Sequence, residues 1–360
     1  MTIAIDCRML NASGIGVYLR GCLPFFLQSD NNFLLIGDSK KLFDLSYLFN
    51  NKNIEIADCK IKTFSLSELF FFPIKILGKI NKADCYYSPF FNIPCGIKIP
   101  IYTTIHDIIF PDMPELSSKL GLVVRMWFFR RAYKKSIKIF TVSNFSKSRI
   151  EHHLSSLKPV IVTHSAISQI FLEYRTLNKN NPKKENIIFI GNIKKHKGLF
   201  CLLQAYHLAK NEGLTHKLII IGSRDNFRSS DNTILEKINE IGDDSISFSG
   251  FASDEILMEY LSSAALLVQP SLYEGFCLPP LEAMVLGTQA LISDIPVLKE
   301  VYSEFPVVFF NADNSNDLKN HLIELLLNKS INNISLPQNL ISKYTYEKSS
   351  SVILNNIIQK

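Results

Sequence analysis

Along nearly its whole length the chain alternates short, almost unbroken apolar runs with segments of helical period, and it goes through this pattern twice. In the first half the runs at 3–6, 33–37, 54–58, 85–88, 101–106, 139–142 and 160–163 read as strands. Segments 17–28 (with Pro24 as a kink), 66–79, 119–136 and 146–154 read as helices. A strand apolar at consecutive positions must be covered on both faces. With helices between the strands, that means a parallel sheet packed by helices above and below. The stretch Asn178-Lys179-Asn180-Asn181-Pro182-Lys183-Lys184-Glu185 has little apolar content and reads as a linker. The alternation then restarts, with strands at 187–190, 218–221, 246–249, 266–269, 290–293 and 307–310. Helices follow at 199–209, 255–262, 281–286, 318–327 and 346–358, and Leu199, Leu202, Leu203 and Tyr206 fall at helical spacing. The expected fold is α/β, two doubly wound Rossmann-like domains: 1–170, a linker at 171–185, and 186–345. In such sheets ligands sit at the carboxyl ends of the strands, which here predicts a cleft between the domains.

Bulk properties fit this picture. A chain of 360 residues is long for one core and suits two domains. The 20% of charged residues beside 47% hydrophobic ones argues against disorder. A net charge of +6 suits anionic small molecules or an anionic membrane surface and is too small to imply nucleic acid. The seven cysteines, at 7, 22, 59, 85, 95, 201 and 277, are odd in number and show no CxxC spacing. That argues against a zinc site or disulfide framework and for a reducing, cytoplasmic compartment. Met1-Thr2-Ile3-Ala4-Ile5-Asp6 reads as a first strand and not as a signal peptide. The apolar stretch 66–77 is interrupted by Glu68, Pro73 and Lys75, and no segment reaches the roughly 20 apolar residues of a membrane span.

The most specific string is Ser271-Leu272-Tyr273-Glu274-Gly275-Phe276-Cys277-Leu278-Pro279-Pro280-Leu281-Glu282-Ala283-Met284. Glu274 follows a strand in a turn set by Gly275. Glu282 stands near the start of a short helix opened by Pro279-Pro280. Both carboxylates are expected at the ligand edge of the sheet, beside outward amides of Gly275, Phe276 and Cys277, a cradle for a polyhydroxylated or anionic ligand. The bland reading makes Glu282 a favourable first-turn acid and Glu274 a solvated one. Glu-Gly-Phe-x-Leu-Pro-x-Leu-Glu-Ala-Met resembles the EX7E motif of glycosyltransferase family 4, whose members have the GT-B fold. The resemblance extends to Ile246-Ser247-Phe248-Ser249-Gly250-Phe251, Ser293-Asp294-Ile295-Pro296-Val297-Leu298-Lys299-Glu300-Val301 and Gly191-Asn192-Ile193-Lys194-Lys195-His196-Lys197-Gly198-Leu199. In the first half Ser13-Gly14-Ile15-Gly16-Val17-Tyr18, Ile105-His106-Asp107 and Val142-Ser143-Asn144-Phe145-Ser146 fit the mannosyltransferase-like subgroup of bacterial polysaccharide synthesis. The likeness runs from about residue 3 to about residue 350 and implies that the helix at about 346–360 packs back on the first domain.

The basic loop 194–197 precedes a helix, so lysine charge and free helix amides together suit a diphosphate that gains charge as its bond to the sugar breaks. The resemblance makes Lys197 the donor-phosphate lysine, while Asn192 stands where many members carry arginine and Cys277 where many carry glycine. A solvated lysine cluster is the alternative. Gly14 and Gly16 follow the first strand, but Leu19 takes the place of the third glycine of a nicotinamide fingerprint. Small residues there let backbone approach a diphosphate or acceptor, or simply make a turn. His106 is expected at a strand end, its imidazole donating to a sugar hydroxyl, or else structural. By resemblance, Glu274, Lys197 and His106 are catalytic. Glu282, Gly275, Phe276, Cys277, Asn192, Ser249 and Gly250 bind the donor, and Gly14 and Gly16 line the phosphate or acceptor loop. No Asp-x-Asp stands where it would hold a metal, and Asp243-Asp244 reads as a turn, so neither metal nor other cofactor is expected. The basic, aromatic segments 125–135 and 70–75 are either core helix with a solvated face or a contact for the anionic inner membrane. The implied reaction is retaining transfer of a hexose from a nucleotide diphosphate sugar to a glycan or lipid-linked acceptor. GDP-mannose is the first candidate donor, with UDP- and dTDP-hexoses next. No carboxylate pair of glycosidase type is evident. A non-catalytic nucleotide-sugar-binding scaffold, or an epimerase or phosphorylase on the same fold, are the alternatives.

Overall fold

The structure, a computed structural model, describes residues 1–45, 53–178, 181–222, 232–242, 245–250, 252–328 and 333–359. The chain divides into two compact units, Met1–Ala166 with Tyr344–Lys360, and Ile167–Lys343.

In unit 1 the strands are β1 (Thr2–Asp6), β2 (Asn32–Gly37), β3 (Ile54–Asp58), β4 (Cys85–Ser88), β5 (Ile101–Thr104), β6 (Lys138–Thr141) and β7 (Val160–Val162). They form one sheet in the order β3-β2-β1-β4-β5-β6-β7, and each pairing is parallel. Ile3, Ala4 and Ile5 of β1 and Phe33 to Ile36 of β2 are all buried, as strands covered on both faces must be. The chain runs outward from β1 in both directions, so the strand order reverses between β1 and β4. The carboxyl edge at that point is where a doubly wound sheet leaves room for ligands.

The helix Tyr346–Ile358 packs on the helix Ser13–Leu27. A Cβ at Gly21 would lie 2.3 Å from the Tyr346 ring, so only glycine admits this approach. Ser350 Oγ donates to Cys22 O at 3.2 Å and Ser349 Oγ to His164 O at 2.6 Å, which ties the tail to both ends of the unit's fold.

Unit 2 holds β8 (Asn186–Ile190), β9 (Lys217–Ile221), β10 (Ile246–Gly250), β11 (Leu266–Gln269), β12 (Gln289–Ser293) and β13 (Val308–Phe310). The order is β10-β9-β8-β11-β12-β13, again with parallel pairings. The switch point falls between β8 and β11. The helix Leu199–Asn211, predicted from its apolar spacing, buries Leu199, Leu202, Leu203 and Tyr206 against the sheet and the helix Ser315–Leu326.

Several expectations need correction. The division between the units falls after Ala166, not after 170, and residues 171–177 are no linker: they belong to the helix Gln169–Leu177 of unit 2. Its Phe171 is buried, and Tyr174 lies 3.5 Å from Ser262, so tertiary packing holds this segment. The single helix expected at 66–79 is two, Leu66–Phe70 and Ile74–Ile80, because Pro73 has no N–H to continue the ladder. The strand at 101–106 stops at Thr104. The helix expected from 17 begins at Ser13 and so includes Gly14 and Gly16. The helices Asn232–Ile241 and Pro296–Tyr302 were not foreseen. Asp243-Asp244, Phe251 and part of the 178–185 stretch lie outside the described residues.

Candidate active site

Two loops leave the carboxyl ends of β8 and β11, the two strands that flank the switch point of unit 2. The first, Gly191 to Gly198, ends in the 3-10 turn Lys195–Lys197 and feeds the helix Leu199–Asn211. Gly198 adopts φ +69°, and a Cβ there would lie 1.8 Å from Pro270 O on the second loop. Glycine is therefore required twice over, by the left-handed backbone and by contact between the loops. Leu272 N donates to His196 O at 2.8 Å and seals the two loops together.

This junction brings Lys197 to Glu274. Lys197 Nζ donates to Glu274 Oε1 at 2.7 Å, and Ser271 Oγ donates to the same oxygen at 2.7 Å. Gln269 Nε2 in turn donates to Ser271 Oγ at 2.9 Å, and Ser293 Oγ bonds Ser271 O. The acid is thus held by a chain of side chains from β11 and β12, not left as a solvated loop group. Burial pushes the Glu274 carboxyl up, but the Lys197 charge and the hydrogen bonds from Lys197 and Ser271 outweigh it and hold the group below the usual range. Glu274 is a carboxylate at neutral pH.

Glu282 sits in the first turn of the helix Pro279–Val285 and is buried too, yet its environment acts the other way. Burial, with a smaller contribution from the Asp254 charge, pushes it up to about 8. Two acids eight positions apart are therefore in different protonation states, a division of labour set by whether a cation is near. Cys277, where the resemblance leads one to expect glycine, takes a left-handed φ of +74°. The backbone keeps the glycine-type turn, and Tyr302 Oη bonds Cys277 O to fix it. The side chains of Phe276 and Cys277 are both buried.

The remaining predicted donor residues of unit 2 are spread along the same sheet edge. Asn192 is exposed and its carbonyl accepts from Lys194 N at 2.9 Å. Ser249 and Gly250 end β10, two strands from β8, with Gly250 at φ +70°. His196 was not foreseen. Burial, and then the Lys197 charge, push its imidazole down to about 4, and its Nδ1 is buried without a hydrogen-bond partner. A neutral, partnerless imidazole beside the Lys197–Glu274 pair is a further candidate for ligand contact. Its only signal in the sequence was its place in the basic loop.

In unit 1, His106 lies two residues beyond β5. Its Nε2 is 2.9 Å from Pro89 O, and its ring meets Tyr18 edge-on at 5.0 Å. Burial pushes it down to about 4, so the ring is neutral. A carbonyl only accepts, so Nε2 carries the proton and Nδ1 is left as an acceptor. The expectation that this imidazole donates to a sugar is thereby corrected: it can receive a hydroxyl proton but has no second N–H to give. Gly14 and Gly16 lie in the first turn of the helix Ser13–Leu27, not in a loop before it. A Cβ at Gly16 would meet Leu10 O at 2.5 Å, whereas one at Gly14 meets nothing within 4 Å. Gly16 is explained by packing, and Gly14 is not. Among the described residues no three His, Cys, Asp or Glu side chains gather as a metal site would need.

Comparison with known proteins agrees with this geometry. Residues 172–345 match the family described as glycosyl transferases group 1. The chain is similar to O-antigen chain mannosyltransferase B of Escherichia coli, 26% identical over 287 residues that cover 75% of this chain and 73% of the other. It is also similar to O-antigen chain mannosyltransferase RfbU of Salmonella typhimurium, 25% identical over 264 residues, covering 70% and 67%. Among solved structures, HepE of Anabaena in complex with UDP and glucose superposes over the full length of both chains with a TM-score of 0.69 at 15% identity. The two parallel sheets, the loops at the switch point of the second, and the family match over that same unit make this chain a glycosyltransferase of the GT-B type.

Proposed function

We propose that the chain moves a hexose, with retention at the anomeric carbon, from a nucleotide diphosphate sugar to a glycan or lipid-linked glycan in cell-surface polysaccharide synthesis. Mannose from GDP-mannose is the first candidate, because relatives that align over most of their length are named mannosyltransferases. The observation that carries the reading is the Lys197–Glu274 pair at the switch point of unit 2. A carboxylate there accepts two sugar hydroxyls at once, and the ammonium beside it meets the phosphates. As the bond from the anomeric carbon to the phosphate oxygen breaks, negative charge grows on the departing diphosphate. Lys197 and the amides at the start of the helix Leu199–Asn211 stabilise it, with no metal needed. The acceptor oxygen bonds the same face of the anomeric carbon, and its proton goes to the leaving phosphate. Glu282 takes the ribose hydroxyls, while Gly275, Phe276 and Cys277 supply the turn that presents Glu274. Unit 1 is assigned the acceptor.

We place the enzyme in the cytoplasm, peripheral on an anionic membrane. The faces that support this are on unit 1. Phe71 and Ile74 are 76% and 86% exposed, next to Lys75 and Lys79. On the helix Lys119–Lys135, Leu120, Val123 and Trp127 are exposed among basic residues. Arg131, which stacks on Trp127, bonds Ile93 O, and Leu77 packs at Gly96, so both apolar faces flank the segment 93–96. Basic and aromatic surface together suit an anionic leaflet. Among the described residues no helix is long and apolar enough to cross a membrane.

The test is a panel of GDP-mannose, UDP- and dTDP-hexoses with and without EDTA. Release of nucleoside diphosphate, the anomeric configuration of the product by NMR, and flotation with phosphatidylglycerol vesicles are read in parallel. Nucleotide binding without turnover of any donor would favour a scaffold. Product without acceptor, or dependence on inorganic phosphate, would favour an epimerase or phosphorylase.

A further inference from the structure

Unit 1 contains a cavity of about 330 Å³ that no part of the reaction described above uses. It lies beyond the carboxyl ends of three adjacent strands. Cys7, Leu10 and Asn11 follow β1, Asp38 and Lys41 follow β2, and Cys59 to Thr63 follow β3. Its wall carries three lysines, Lys41, Lys60 and Lys62, against one acid, Asp38. The acid is engaged: Asp38 accepts from Lys40 N at 3.1 Å as the cap of the helix Ser39–Phe43. Arg8 also lines the cavity; its Nε and Nη2 are engaged by acids, while its Nη1 is buried without a hydrogen-bond partner. The guanidinium bonds Asp6 through Nε at 2.9 Å, pairs with Glu68 at 2.6 Å, and stacks on Phe72 and Phe90. Arg8 therefore fixes the floor, and the lysines set the sign of the field.

We propose that this cavity is an anion site for a phosphate or diphosphate group carried by the acceptor. The inference rests on the assignment of the acceptor to unit 1. Three observations converge on it. The site is at the ligand edge of a parallel sheet. The surplus of lysine side chains favours a multiply charged anion, and a lysine serves phosphate as a mobile point charge. Directly after Thr63 the chain continues through Phe64 and Ser65 into the helix Leu66–Phe70, so the exposed Phe70, Phe71 and Ile74 lie next along the chain. An anionic group at the foot of an apolar tail matches that sequence of surfaces.

The experiment titrates inorganic pyrophosphate, and in a second arm farnesyl diphosphate, into the full-length protein by calorimetry. Wild type is compared with Lys60→Glu/Lys62→Glu and with Lys197→Met. Loss of two charge-assisted contacts weakens the unit 1 site by roughly 100-fold or more. The expected result is a pyrophosphate site that survives Lys197→Met and is lost in Lys60→Glu/Lys62→Glu, with circular dichroism unchanged because both lysines are exposed. Tighter binding of farnesyl diphosphate, reversed by Phe71→Ser/Ile74→Ser, identifies a lipid-borne anion. Equal affinity for the two probes identifies an anion recognised without a tail, and the site stands. Pyrophosphate binding that is indifferent to the Lys60 and Lys62 reversals, or that vanishes with Lys197→Met alone, overturns the proposal. A second pyrophosphate site, lost in Lys197→Met and kept in Lys60→Glu/Lys62→Glu, is expected at the donor loop of unit 2; its absence sinks the donor-phosphate role of Lys197 and leaves the unit 1 site intact.

Discussion

Glu274 and Lys197 depend on each other, and that sets how their variants behave. Removing the ammonium leaves a buried carboxylate without its counter-charge, and burial then drives the proton back onto it. Lys197→Met is therefore expected to lower kcat by roughly 100- to 1000-fold, the scale of losing a preorganised charge in the transition state. Glu274→Gln keeps a hydrogen-bond acceptor, so it is expected to cost less in donor binding than Glu274→Ala. Steady-state kinetics with thermal melts as the folding control would show this, and equal losses for Gln and Ala would count against direct sugar contact. Glu282 gives a pH signature of opposite sign. Its folded-state pKa, about 8, lies above the ordinary carboxyl value, so its contribution to stability is full below the unfolded pKa and is lost as pH rises through about 8. Ribose hydroxyls are best received by the ionised form, so nucleoside diphosphate affinity is expected to rise between pH 6 and 8 with release of up to one proton. Calorimetry in buffers of different ionisation enthalpy reads that proton, and in Glu282→Gln both the slope and the proton release should vanish. Glu274, held below the usual range, contributes stability above the unfolded carboxyl pKa that is lost only as pH falls through its depressed value.

At the level of elements, the site is a consequence of how two loops meet. Gly198 is where they touch, and Gly198→Ala forces a left-handed alanine whose Cβ overlaps Pro270 O. A loss of about 3 kcal/mol is expected in urea melts of unit 2, with kcat falling because Lys197 precedes the displaced residue. A wild-type melt for this variant would show that the loops are not rigidly joined. The strands were legible in the sequence because runs such as 33–36 are apolar at every position, which only a doubly covered strand tolerates. The helix Leu199–Asn211 was legible through its stripe of buried residues. Elements whose order comes from tertiary contact were not. The helix Gln169–Leu177 ran into polar residues that masked it, although Pro296, at the first position of the helix Pro296–Tyr302, was a signal left unused. In unit 2, the placing of Glu274, Glu282 and Lys197 beyond strand ends followed from motif and strand-end logic, whereas Gly14 and Gly16, expected in a loop, stand in the first turn of a helix. The high pKa of Glu282, the neutral His196 and the Asp6–Arg8–Glu68 cluster arise from burial by residues distant in sequence, which no local pattern encodes.

For the whole molecule, the division into units predicts that stability and function can be separated at the tail. Residues Tyr344–Lys360 belong to unit 1 although they follow unit 2 in the chain. In the helix Tyr346–Ile358, Tyr346, Ile353, Leu354 and Ile357 are buried. At about 1.5–3 kcal/mol for each large apolar side chain, their removal is comparable to the whole stability of an ordinary domain, about 5–15 kcal/mol. The cleft left beside Gly21 could not be refilled by neighbours, since that glycine exists to admit the Tyr346 ring. A chain ending at Lys343 is therefore expected to lose the cooperative melt of unit 1. Unit 2 contains all of its own six described strands and both acids, and should still bind nucleoside diphosphate with near wild-type affinity. Hydrogen exchange read by mass spectrometry distinguishes the two units in one sample: protection should collapse over 2–166 and persist over 186–326. Loss of protection in both units together would mean that they fold as one cooperative body, and the donor-binding role of unit 2 would then have to be tested only in the full chain.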